Sequence, residues 1–130
     1  MSNKKGEFIF YYYIEGSGNA SSINLTEREN IKTIQCKVIT LDEYTEENKI
    51  RVDFIKCDVE GAELNGLLGM RRLIERNRPS LCISVYHRPE DMVTIPKLIV
   101  SWGLDYKLYL RNHEYNGFGT VLYARPQTHI

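Results

Sequence analysis

Residues 52–59 (VDFIKCDV) are apolar at Val52, Phe54, Ile55, Cys57 and Val59, and the run leads into Asp58, Glu60 and Glu63. A short, nearly continuous apolar segment suits a strand buried on both faces, the habit of parallel sheets. Residues 62–76 then place Leu64, Leu67, Leu68, Leu73 and Ile74 at helical spacing. Arg71, Arg72 and Arg76 lie toward the end of that helix, where its dipole favours cations, and Pro79 stops it. A strand that delivers carboxylates to the start of a helix is the first part of a strand–helix–strand unit.

The remaining segments extend the alternation. Residues 80–86 (SLCISVY) read as a second buried strand ending at His87, and residues 90–102 (EDMVTIPKLIVSW) as a helix closed by Gly103. Pro96, inside that helix, is expected to kink it or to mark an irregular first turn. Residues 106–110 and 120–124 form two strands whose short connection requires an antiparallel pair. Upstream, residues 7–14 (EFIFYYYI) are aromatic and β-branched and stop at the turn cluster Gly16-Ser17-Gly18-Asn19. Residues 33–40 (TIQCKVIT) alternate Ile34, Cys36 and Val38 with polar neighbours, as a half-buried strand does, and a helical turn over 41–47 follows. The expected class is α/β, with a mostly parallel sheet, right-handed crossovers and a C-terminal antiparallel hairpin.

Composition narrows the partners. The length of 130 residues fits one domain, 1–130, and 17 basic against 17 acidic side chains provide no excess to attract phosphate backbones or anionic lipid. No run approaches the roughly 20 apolar residues of a spanning helix, and no apolar stretch follows Lys4 and Lys5 as a signal peptide requires. Nucleic acid and membrane are not expected partners, and the expected location is the cytoplasm. Cys36, Cys57 and Cys82 form no CxxC pair and read as free thiols, two of them within apolar strands.

In a parallel sheet, ligands bind beyond the carboxyl ends of the strands, where Asp58, Glu60 and His87 lie. Helix capping is the simpler account of Glu63, whereas Asp58, at a strand tip, faces the ligand crevice. Adjacent strand ends are about 5 Å apart, so Asp58 could orient the His87 imidazole as a general base. Taken alone, a His before Arg88-Pro89 is more often a loop residue than a site residue, and His113 in the hairpin connection either approaches the same rim or is solvated. A metal site from Asp58, His87 and His113 has no ligand-spacing signature, and no metal is expected. Gly16-Ser17-Gly18 opens no helical stripe, so it reads as a hairpin turn rather than a nucleotide-binding loop.

The segment Asp53-Phe-Ile-Lys-Cys-Asp58-Val-Glu60-Gly-Ala-Glu63-Leu resembles the central motif of the FkbM family of S-adenosylmethionine-dependent methyltransferases. Val38-Ile-Thr-Leu41-Asp42-Glu is similar to the family's Thr-Leu-Asp segment, and the stretches Arg78–His87, Tyr106–His113 and Thr120–Ala124 are similar, in order, to its last strands. The resemblance implies O-methyl transfer to a hydroxyl of a sugar or natural product on a Rossmann-like sheet. It implies Asp58 and Glu60 lining the cofactor and substrate crevice with His87 beside them as a base, so Asp58 and His87 are the expected catalytic residues and Asp58 and Glu60 the expected cofactor contacts; the strand-end reading adds Glu63 and His113 at the substrate rim. The family's cofactor-binding glycine loop has no counterpart before Glu7, so the chain resembles the C-terminal half of the domain. That leaves three expectations open: an enzyme that needs a companion chain, a noncatalytic binding module, or a homodimer joined through an exposed strand edge. The edge in question is that of the 54–59 strand, which the pair of strands at 7–14 and 33–40, or a second chain, is expected to cover.

Overall fold

The structure is a computed structural model and describes residues 6–13, 31–115 and 118–127. Strands β1 (Gly6–Tyr13) and β2 (Ile31–Val38) form an antiparallel pair, with Gly6 opposite Val38 and Tyr13 opposite Ile31. Helix α1 (Leu41–Glu47) follows, capped by Thr40, whose Oγ1 accepts the Glu43 amide at 3.2 Å and donates to Glu43 Oε2 at 3.0 Å. The connection containing Gly16, Ser17 and Gly18 lies outside the described residues.

The main sheet has four strands in the order β3-β4-β6-β5. Strand β3 (Phe54–Cys57) pairs in parallel with β4 (Ser80–Ser84), as expected of two strands joined through helices. Strand β6 (Thr120–Pro126) runs antiparallel to β4 and to β5 (Tyr106–Asn112), which completes the expected C-terminal hairpin. The chain therefore has the α/β class that its alternation implies. The expectation that β1 and β2 cover β3 is not met: they form a separate two-stranded sheet. Strand β3 is the edge of the main sheet among the described residues, with Phe54 60% exposed.

The expected helix over 62–76 is two helices, α2 (Glu63–Leu68) and α3 (Arg71–Asn77). The break falls at Gly69-Met70: Gly69 ends α2, and Met70 turns out of the helical region at φ −126°. Neither end of the break is bridged by its own side chain. Instead Asp42 of α1, 6% exposed, accepts the Arg72 amide at 3.2 Å and the Leu73 amide at 2.7 Å. Two N–H groups at the start of α3 thus find a carboxylate supplied by another helix. The Arg72 guanidinium adds a two-pronged contact to Glu46, at 3.1 and 3.2 Å, on the exposed side of the same junction.

Helix α4 (Asp91–Ser101) runs through Pro96 as one helix, forgoing only the hydrogen bond that residue would have donated. Its Ile95 and Ile99, one turn apart, join Ile55, Leu67, Leu73, Ile74, Leu81, Ile83 and Leu122 in one core between the sheet and the helices. At the β5 end, Tyr106 donates its hydroxyl to Pro79 O at 2.7 Å, and the Arg78 guanidinium lies 5.5 Å from the ring centre.

Two outcomes follow from these ties. Asp42→Ala leaves buried amides of α3 without an acceptor and is expected to lower stability by about 1–2 kcal/mol in urea unfolding. Burial pushes the Tyr106 hydroxyl from 10.0 up to about 12, against the opposing charge of Arg78. The fold thus favours the neutral phenol, and that stabilisation is complete below the unfolded value and is lost as pH rises through the folded one. Urea midpoints should fall across that alkaline range in the native chain, and Tyr106→Phe should show a smaller fall.

Candidate functional site

Asp58 follows the last residue of β3, and the backbone then turns sharply. Glu60 has φ +52° and Gly61 φ +92°, and the Ala62 amide donates back to Val59 O at 3.2 Å. Both residues lie in the left-handed region, where glycine is at ease and a side chain is strained, so Gly61 supplies the freedom and Glu60 carries the strain. The turn brings the chain into α2 with Glu63 as its first residue. Glu63 is fully buried, and its Oε1 accepts the Val59 amide at 2.9 Å. One carboxylate therefore fastens the helix start to the strand end.

The neighbouring strand brings His87 to the same place. After β4, the Val85 amide still pairs with Thr120 O at 3.0 Å, and His87 follows two residues later with 11% of its side chain exposed. The imidazole sits among three carboxylates. Its Nδ1 is 2.8 Å from Glu63 Oε1, although the pair is not aligned as a hydrogen bond. Its Nε2 faces Glu60 Oε2 at 3.4 Å and Asp58 Oδ1 at 3.8 Å. Asp58, Glu60, Glu63 and His87 are thus brought together at the ends of two adjacent parallel strands. His113 is not among these contacts: it is exposed and shares a hydrogen bond of 3.0 Å with the Tyr123 hydroxyl.

Two residues that sequence patterning leaves without a role belong to this cluster. The Tyr86 ring lies 4.1 Å from the His87 ring, centre to centre, and meets Phe118 edge-on at 6.4 Å. Burial first, then the charges of Asp58, Glu60 and Glu63, and then a hydrogen bond with Asp58 raise the Tyr86 hydroxyl above its ordinary range. Asp91, the first residue of α4, is 1% exposed, and its Oδ2 has no hydrogen bond. Burial, and after it the charge of Glu63, raise the Asp91 carboxyl, while Arg88 opposes the shift. The sign common to both is a negative field at the strand ends. An acid at the start of a helix reads as dipole complementarity in a sequence; only its burial beside Glu63 marks Asp91 as part of the cluster. Tyr86 is signalled by its place next to His87 at a strand end.

The family follows from a match over most of the chain: the sequence model of the methyltransferase FkbM domain covers residues 2–116. The chain belongs to the FkbM methyltransferase domain family. A crystal structure of methyltransferase FkbM from Methylobacillus flagellatus KT has the same fold, at a TM-score of 0.61 and 37% sequence identity. The similarity covers 69% of this chain and 23% of that one, so the chain spans under a quarter of the FkbM methyltransferase it matches. No curated protein matches the chain. No described helix is long and apolar enough to cross a membrane.

The FkbM motif Asp-Val-Glu-Gly-Ala-Glu thus has a local physical reading: a strand tip, a left-handed turn and a buried anchor. Gly61→Ala, at φ +92°, is expected to cost about 1–2 kcal/mol in chemical denaturation, more than the same change at an unstrained exposed site.

Proposed function

We propose that the chain forms the acceptor side of an S-adenosylmethionine-dependent O-methyltransferase site, corresponds to the C-terminal half of that domain, and acts on a hydroxyl of a sugar or natural product. The observation that carries this reading is the His87 imidazole set among Asp58, Glu60 and Glu63 at the carboxyl ends of parallel strands. S-adenosylmethionine, when bound, supplies a methyl group on a positively charged sulfur. The strand-end residues fit that end of the cofactor, because Asp58 and Glu60 present carboxylates, open to solvent, to a cation. The described residues include no glycine-rich turn joining a strand to a helix, so what they fit is the methyl-bearing end alone.

His87 Nε2, on the side away from the buried Glu63, is the group placed to accept the proton of an acceptor hydroxyl. Glu63 Oε1 lies against the Nδ1 side of the ring at 2.8 Å, and its own position is fixed by the Val59 amide. Asp58 lies beside the proton-accepting nitrogen, where it orients the hydroxyl and stabilises the charge that the ring gains. A hydroxyl whose proton His87 had taken would be free to receive that methyl group. Tyr86 and Phe118 form an aromatic wall against which a ring-shaped acceptor can lie. The reading also places the chain in the cytoplasm, where the free thiols Cys36, Cys57 and Cys82 persist.

A second reading is favoured by the edge of β3, unpaired among the described residues: a binding module that uses that edge for a companion chain or a second copy. Calorimetric titration with S-adenosylmethionine and S-adenosylhomocysteine separates the two. Methyl transfer requires binding that Asp58→Ala weakens, and turnover that His87→Ala lowers by roughly a hundredfold or more. Absence of any heat at millimolar ligand would remove autonomous methyl transfer and leave the binding module or a site completed by a companion chain.

A further inference from the structure

The geometry points to a divalent-cation site formed by Asp58, Glu63 and His87, of a hardness that suits Mn²⁺. One ligand atom from each of the three side chains lies within 4.8 Å of the other two. Donors around a bound Mn²⁺ or Mg²⁺ sit about 2.1–2.2 Å from the ion and hence roughly 3–4.4 Å apart, so only a small side-chain adjustment separates the present arrangement from a coordinating one. The three residues suit that adjustment unequally. Glu63 is fully buried and tied to the Val59 amide, and His87 is wedged between Glu63 and the Tyr86 ring. Asp58 has 34% of its side chain exposed, and its only charge partner among the described residues besides His87 is the exposed Lys56, at 3.5 Å. Two donors are therefore preset and the third can swing in.

A second observation points to an occupant independently of that spacing. Glu63 Oε2 is shielded from solvent and accepts no hydrogen bond, and neither does Asp91 Oδ2 nearby. A buried carboxylate oxygen without a donor costs on the order of 1–3 kcal/mol, and more when it is charged. His87 Nδ1, close as it is to Glu63, is not aligned to relieve this. Asp58, Glu60, Glu63 and Asp91 together place four carboxyl groups around one imidazole. A doubly charged ion would balance that excess and give Glu63 Oε2 the partner it lacks.

The donor chemistry selects among ions. Two carboxylates and one imidazole, with no thiolate, form the oxygen-rich set that suits Mn²⁺ and is harder than the usual structural zinc site. The ligands come from the end of β3, the start of α2 and the segment after β4, so the cation would tie together the three segments that form the strand-end rim. The inference does not rest on the methyl-transfer reading: cation binding is measured with neither cofactor nor acceptor present, and an ion held by His87 through Nε2 would take the place of the proton that nitrogen accepts in that reading.

The test is titration of the full chain, first treated with chelator and then dialysed, with Mn²⁺ alone, following the free ion by electron paramagnetic resonance. One site per chain is expected. Asp58→Asn and His87→Ala should each weaken it by roughly tenfold or more, with circular dichroism verifying that each variant is folded. Because Glu63→Gln alters a buried anchor and could unfold the chain, the partly exposed Asp58 is the decisive position. His113→Ala, at the Tyr123 contact, should leave binding unchanged. Failure to bind Mn²⁺ at concentrations up to about 1 mM overturns the inference, as does equal binding by the native chain and Asp58→Asn. Equal loss in His113→Ala would also overturn it, because it would show diffuse surface binding.

Discussion

The buried carboxylate of Glu63 is the contact on which the strand-end architecture depends. By accepting the Val59 amide at 2.9 Å it closes a turn that contains two left-handed residues, and it does so without access to water. The hydrogen bond fixes where β3 ends and where α2 begins, so it also fixes the direction in which Asp58 and Glu60 leave the backbone. The same oxygen lies 2.8 Å from His87, which couples the placement of the imidazole to the turn. A group that would normally be costly to bury is retained at the one point where strand, turn and neighbouring strand meet.

Around that point the surroundings grade from dry to wet. Glu63 and Asp91 are buried at the starts of their helices, His87 is almost covered, and Asp58 and Glu60 reach solvent. The gradient suits chemistry at an interface between the core and a ligand: the inner groups have no freedom to move, and the outer ones can meet something arriving from outside. The central position of β4, hydrogen-bonded to β3 on one side and β6 on the other, gives His87 a base that is paired along both edges. Asp58, by contrast, is carried by a strand with one paired edge among the described residues.

Much of the fold was legible because its elements depend on local pattern. The bounds of α1, the parallel pairing of β3 with β4 and the closing hairpin of β5 and β6 follow from apolar spacing, turn residues and connection length. The division of residues 62–76 was not legible, since the leucines on either side of Gly69 continue one helical stripe and the group that caps the second helix is Asp42, far back in the sequence. The separate sheet of β1 and β2 was likewise hidden, because an apolar edge says that something should cover it and not what. In the site, Asp58, Glu60, Glu63 and His87 stood out through their place at strand ends. His113 shared only their chemistry and lies with Tyr123, while Asp91 shares their location but looks like an ordinary helix-start acid.

The cap that Asp42 places on α3 bears on the order in which the chain can fold. Helices α1 and α3 each have seven residues, too few to persist alone in water. The amides at the start of α3 gain their acceptor only after a loop of about thirty residues has closed, and that loop contains β3, the left-handed turn and α2. Neither helix can therefore serve as an early nucleus. The hairpin of β5 and β6 has partners near in sequence and closes a shorter loop than the contact of α1 with α3, whose loop includes the turn carrying Glu60 and Gly61.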